Sequence, residues 1–228
     1  MRIAEITLIR SLPLFLEMSE ANFESLTAAA LLQRFPAHVE LIREGELPDF
    51  LHVVVDGKVE LFATHNGRET TLDVVRPVTT FILAAVIRDE VYLKSARTIT
   101  DAQILMLPAE KVREVFSRDA AFARAVVGEL AERYRDVVRA LKNEKLRTSS
   151  ERLANWILTA EAQQGGSGHV NILYDKRTLA SQLGMTPEHL SRNLSSLAEH
   201  GVKSSGRSIV IADRTALTAF AKPAALID

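Results

Sequence analysis

Residues 176–200, KRTLASQLGMTPEHLSRNLSSLAEH, decide how the chain is read. The small Ala180 falls where two crossing helices come close. Gly184, four positions on, supplies the left-handed residue that a tight interhelical turn demands. Thr186 is placed to cap a second helix, and Pro187 fits that helix's first position. Leu183, Leu190, Leu194 and Leu197 then face a small core. Two helices joined by a glycine turn describe any αα-hairpin, so the polar side of the second helix carries the argument. Glu188, Ser191 and Arg192 stand at i, i+3 and i+4 and share one exposed side. A glutamate accepts from cytosine N4, and an arginine binds guanine O6 and N7 through two hydrogen bonds. Thr178, Thr186 and His189 join them as expected DNA-facing residues. Residues 202–211, VKSSGRSIVI, read as a two-stranded wing whose Ser205 and Arg207 contact phosphate and fix register.

Upstream, residues 163–168 (QQGGSG) read as a loop between a helix, Glu151–Ala162, and a strand, His169–Leu173. Before these comes the most regular stretch of the chain. Asp119 is a candidate N-cap, and Ala120, Ala123, Val127, Leu130, Tyr134, Val137 and Leu141 follow at spacings of 3, 4, 3, 4, 3 and 4. That is a heptad seam, expected to pair two copies of one helix into a parallel homodimer. A short helix opened by Pro108 covers 108–116. From Phe35 onward, β-branched runs are punctuated by Glu44-Gly45-Glu46, Asp56-Gly57 and Asn66-Gly67, the pattern of an antiparallel roll with tight hairpins. The first 33 residues read as helical, with a break at Pro13 and a candidate cap at Ser19. The expected fold class is α+β. A β-roll sensor occupies 1–118, a dimerisation helix 119–146 and a winged helix-turn-helix 147–228.

Composition narrows the chemistry. The 228 residues include no cysteine, which removes disulfides, thiolate zinc sites and cysteine-ligated iron–sulfur clusters. No apolar run approaches the roughly 18 residues of a membrane span, and the first five residues lack a signal-peptide pattern, so a cytoplasmic protein without a membrane partner is expected. Residues 144–228 hold 10 Lys and Arg against 8 Asp and Glu, and the rest 18 against 21. That mild basic excess agrees with a DNA-binding second half. An enzyme on a β-roll is the competing class. It wants a His-x-His pair with further ligands converging on one metal, and His38, His52 and His65 are each single.

Glu44-Gly45-Glu46, Asp56-Gly57-Lys58-Val59, the heptad helix and Glu188-His-Leu-Ser191-Arg192 together resemble the cyclic-AMP receptor / fumarate-nitrate regulator (Crp/Fnr) superfamily over nearly the whole chain. The Glu-x-x-Ser-Arg form is similar to the fumarate-nitrate branch. It implies double-stranded DNA with TTGAT-like inverted repeats, and RNA polymerase as a partner. In the cyclic-AMP branch a Phe-Gly-Glu stretch and an Arg-Ser pair grip ribose and phosphate. Here that region reads Thr80-Phe81-Ile82-Leu83-Ala84-Ala85, and the Arg-Ser pair has become Tyr92-Leu93. Lys94 and Arg97 are the remaining cations, and a buried phosphate without one is costly. Cyclic nucleotide is therefore disfavoured. Thr80-Phe81-x-x-Ala84 with Asp89, Tyr92, Ala96 and Gln103 resembles the nitric-oxide-responsive regulators of denitrification, which implies haem. The expected effector pocket is Phe81, Ala84, Ala85, Tyr92 and Leu93. The residues alone leave the metal and cofactor open. Another small apolar effector, or control by abundance, stands beside haem.

Overall fold

The computed structural model describes residues 3–228, and the chain divides into two compact units at Tyr134/Arg135. In the first unit α1 (Ile3–Arg10) and α2 (Glu20–Ala28) precede β1 (Leu31–Phe35), β2 (Glu40–Ile42), β3 (Phe50–Asp56), β4 (Val59–His65) and β5 (Arg68–Val75). There follow β6 (Thr79–Phe81), α3 (Leu83–Arg88), β7 (Ser95–Thr98), β8 (Ala102–Pro108), α4 (Ala109–Arg118) and the long α5 (Ala120–Leu146). The strands make two antiparallel four-stranded sheets, ordered β1-β8-β3-β6 and β2-β7-β4-β5. This is the roll that the turn spacing predicts.

Alternation along β3 explains the layering. Leu51 and Val53 pack outward against Phe15, Phe23, Leu26, Phe122 and Val126. Val54 points the other way and joins Val59, Leu61, Phe81, Tyr92, Ala96 and Ile104 inside the roll. The β3–β4 turn admits only glycine. Gly57 has φ +84°, and a Cβ there would lie 2.3 Å from the Asp101 carbonyl oxygen. Residues 31–33, expected in a helix, pair instead with β8, Leu31 standing opposite Met106. A ladder partner with a buried face outweighs the mild helix preference of Leu-Leu-Gln.

Asp119 starts α5 as its sequence position suggests. Its Oδ1 accepts from the Phe122 N–H at 2.9 Å. Its Oδ2 accepts from the Ser19 N–H at 3.0 Å and from Asn22 Nδ2 at 2.9 Å. One buried carboxylate thus closes the starts of both α2 and α5. The Phe122 N–H above all, and then Asn22, hold it well below its ordinary value of 3.8. Asp119→Ala removes a cap and strands two donors, an expected loss of about 2–4 kcal/mol, read as a lower urea midpoint. The folded pKa is depressed, so this stabilisation is present above the ordinary value and disappears as pH falls through the folded one. Asp119→Asn should therefore flatten the acid limb of the stability curve. An unchanged midpoint in the alanine variant would mean that the carboxylate contributes nothing.

The second unit holds α6 (Ser149–Gln163), β9 (His169–Asn171), α7 (Lys176–Gln182), α8 (Pro187–Ser196), a 3-10 turn (Leu197–His200), β10 (Val202–Ser205), β11 (Ser208–Ile211) and α9 (Arg214–Ala221). Its sheet is ordered β10-β11-β9. Helix α6 begins before the expected Glu151 because Thr148 and Glu151 form a reciprocal capping box. Leu153, Ile157, Leu179, Leu190, Leu197, Ile209 and Leu217 are buried. The three layers of a winged helix-turn-helix therefore share apolar side chains.

Candidate DNA-reading face and sensor core

Helix α8 is held by its buried side and leaves the other side open. Thr186 Oγ1 accepts from the His189 N–H at 3.2 Å, Pro187 occupies the first turn, and Gly184 takes φ +63° in the preceding turn. Arg152 Nε donates to the Leu183 carbonyl at 3.0 Å and so satisfies the end of α7. Asn193 Nδ2 donates to Ser149 Oγ at 3.1 Å and ties α8 to the start of α6. With Leu190, Asn193 and Leu194 buried, Thr186, Glu188, His189, Ser191 and Arg192 are exposed. Ser191 Oγ donates back to the Pro187 carbonyl at 3.0 Å. The Glu188 carboxyl is held below its ordinary range by its own backbone N–H, then by the Thr186 hydroxyl and more weakly by the charge of Arg192. It is therefore an ionised acceptor. The Arg192 guanidinium makes no hydrogen bond or ion pair among the described residues.

In the wing, Ser205 pairs with Ser208 across the turn, and the side chains of Ser205 and Arg207 are exposed. Thr178 is a correction. It is 6% exposed and its N–H donates to Asp175 Oδ1 at 2.7 Å, because it stands on the inward side of the first turn of α7. Its exposed neighbour Arg177, together with Lys203 on β10, was missed by the sequence reading. Their basic character inside a helix-turn-helix frame was the available signal.

The roll interior gathers three of the five expected pocket residues. Phe81 and Tyr92 are buried there and Ala85 packs against them. Burial pushes the Tyr92 hydroxyl up to about 12, with the charge of Asp49 adding to the effect. Two expected members lie elsewhere. Helix α3 buries Leu83 and Val86, so its periodicity turns Ala84 outward. Leu93 is 83% exposed, in the bend that precedes β7. Arg97 also faces away from the interior. Its Nε donates to Glu60 Oε2 at 2.7 Å, its terminal nitrogens reach Glu69 at 2.6 and 3.1 Å, and it lies over the Phe62 ring at 4.3 Å. With Glu40 and Arg43 it lines an open outer cleft of about 500 Å³.

Helix α5 has two apolar stripes. Phe122 and Val126 are buried against the roll's helical layer, and Leu130 and Ala125 pack partly against it. Leu130, expected in the dimer seam, thus belongs in part to the chain's own core, since 122, 126 and 130 follow a spacing of four. Ala123 is half-buried. Val127, Tyr134, Val137 and Leu141 remain exposed, Tyr134 by 70% and Val137 by 65%. Among the described residues, no helix is long and apolar enough to cross a membrane, and no three or more His, Asp or Glu side chains are grouped to hold a metal ion.

Residues 32–119 match the cyclic nucleotide-binding domain, and residues 151–220 match the Crp-like helix-turn-helix domain. This pair, in this order, decides the family. The chain belongs to the Crp/Fnr family of transcriptional regulators. The cyclic AMP receptor protein of Thermus thermophilus is 29% identical to this Crp/Fnr chain over 184 residues, covering 80% of it and 84% of the relative. DNR from Pseudomonas aeruginosa is 25% identical, with a TM-score of 0.52 over 96% of this chain and 98% of that one. FixK2 from Bradyrhizobium japonicum shares the fold at a TM-score of 0.75 and 23% identity, over 86% of this chain and 99% of that one.

Proposed function

We propose that this Crp/Fnr regulator reads TTGAT-like inverted repeats as a homodimer, with Arg192 on guanine and Glu188 on an opposite-strand cytosine. The observation that carries the reading is the unengaged Arg192 guanidinium beside an ionised Glu188 on the exposed side of α8. Dimerisation joins the exposed Val127, Tyr134, Val137 and Leu141 stripes of two copies of α5, which buries apolar surface that the single chain leaves in water. Half-sites then lie about one DNA turn, roughly 34 Å, apart. The family likeness adds RNA polymerase as a partner and the cytoplasm as the site of action.

In this reading the sensor takes a largely apolar effector in the roll interior. The Thermus relative is named for cyclic AMP, but here Arg97 is engaged by two carboxylates on the outer face and Tyr92 fills the position expected to meet phosphate. The resemblance to the denitrification regulators makes haem the cofactor and nitric oxide the signal. Fluorescence anisotropy with a TTGAT inverted repeat and a shuffled duplex tests the DNA half of the proposal. At equal salt the repeat should bind about 1,000-fold tighter or more, and equal affinity would sink it.

A further inference from the structure

Between α5 and α6 the chain leaves helix for two residues, Arg147 and Thr148, and the first of them is buried. From Arg135 to Leu146 no side chain of α5 is buried, and the half-buried ones are Arg139, Lys142 and Asn143, all polar. Apolar packing therefore does not fix the direction in which this half of α5 leaves the winged domain. Polar contacts take over that task, and those to charged groups are the stronger and the more geometrically specific.

The Arg147 side chain is 6% exposed. Its two terminal nitrogens donate to the two carboxylate oxygens of Asp228 at 2.5 and 2.7 Å, in a bidentate pair. Nη1 also donates to Asn143 Oδ1 of α5 at 3.1 Å, and Nη2 to the Lys222 carbonyl just past α9 at 3.4 Å. Lys222 takes φ +47°, the left-handed cap that turns the chain back after α9. The Ala224 N–H donates to Asp228 Oδ2 at 2.6 Å, and Lys142 Nζ of α5 donates to the Leu226 carbonyl at 2.9 Å. Arg152 of α6 extends the joint to the reading helix. Its Nη1 donates to the Arg147 carbonyl at 2.9 Å and its Nε to the Leu183 carbonyl ahead of α8 at 3.0 Å. The Arg147 guanidinium holds the Asp228 carboxyl below its ordinary range, so the pair is ionised near neutral pH.

We infer that Arg147 and Asp228 are positioning residues that set which half-site spacing the regulator accepts, by fixing the angle between α5 and the winged domain. This rests on the reading of the protein as a homodimer, joined through α5, on inverted repeats. In such a dimer the angle each winged domain makes with its α5 decides how far apart the two α8 helices lie. One added base pair moves the half-sites about 3.4 Å apart and turns one against the other by roughly 35°. A joint free to swing follows that change, whereas a clamped joint gives up contacts in one half-site. A buried ion pair adds little net stability over apolar side chains, so its place at this joint fits a role in geometry.

The test is fluorescence anisotropy of the full-length protein on TTGAT repeats whose central spacer is shortened or lengthened by one or two base pairs. The parent should prefer one spacer by about 10-fold or more, since a misplaced half-site forfeits at least one bidentate base contact. Asp228→Ala should bring the spacers several-fold closer in affinity and leave the guanine preference within each half-site unchanged. That variant strands a buried guanidinium, so Arg147→Met combined with Asp228→Ala accompanies it. The double variant removes both charges, should keep a cooperative melt, and should show the same relaxed spacing. Lys142→Met, which frees the Leu226 carbonyl, should relax it in the same direction by less. A double variant with the parent's spacing profile overturns the inference. So does one that loses its cooperative melt or its guanine preference, because the pair would then support the winged domain itself. A parent indifferent to spacing defeats the palindromic-dimer reading and this inference with it. A spacing-selective parent whose variants stay equally selective defeats the clamp alone.

Discussion

Arg192→Ala loses roughly 2–6 kcal/mol of specific binding on a palindromic site, because a bidentate arginine–guanine contact discriminates by ~1–3 kcal/mol and a symmetric dimer makes it twice. The isolated guanidinium on the exposed side of α8 motivates this magnitude, since no internal ion pair has to break before it meets a base. The loss falls on matched DNA, and preference at the guanine position relaxes. Arg207→Ala, in the wing, instead weakens all duplexes about equally and lowers the salt slope by roughly 1 per subunit, as loss of a phosphate contact does. Anisotropy on the palindrome and its single-base variants across a salt series distinguishes the two. Equal losses for Arg192→Ala on matched and guanine-substituted sites would make Arg192 a phosphate clamp and refute the base assignment.

Val137→Glu separates the dimer. The side chain is exposed in the single chain, so the folded protomer tolerates the change. Two copies facing one another across a seam would bury unpaired like charges, at a cost of about 3–5 kcal/mol. Sedimentation at micromolar concentration should show monomers, and binding to the palindrome should fall toward its non-specific level. Leu130→Glu is the informative contrast. Leu130 packs partly against the roll's helical layer, so its substitution should lower the melting temperature as well as disturb association. A stable Val137→Glu dimer that still binds its site would remove α5 as the interface.

The sequence alone determined the architecture wherever local backbone chemistry and side-chain period agree. Asp56-Gly57 and Asn66-Gly67 specify turns that few other residues can make: the second joins the paired β4 and β5, and the first carries the chain from β3 in one sheet to β4 in the other. Gly184, Thr186 and Pro187 specify the break and restart between α7 and α8, and Asp119 the start of α5. Tertiary structure decided which residues on those elements are free to act. A heptad period cannot say which of two stripes meets the chain's own core, and packing drew Leu130 partly inward while leaving Val137 outside. Proximity in sequence grouped Ala84 and Leu93 with Phe81 and Tyr92, but the period of α3 turns Ala84 outward and Leu93 lies exposed in the bend before β7. Thr178 looked like a surface residue until the first turn of α7 placed it inward. Turns and caps are written in a few adjacent residues, whereas burial and pairing depend on residues distant in the chain, which only the folded sheets bring together.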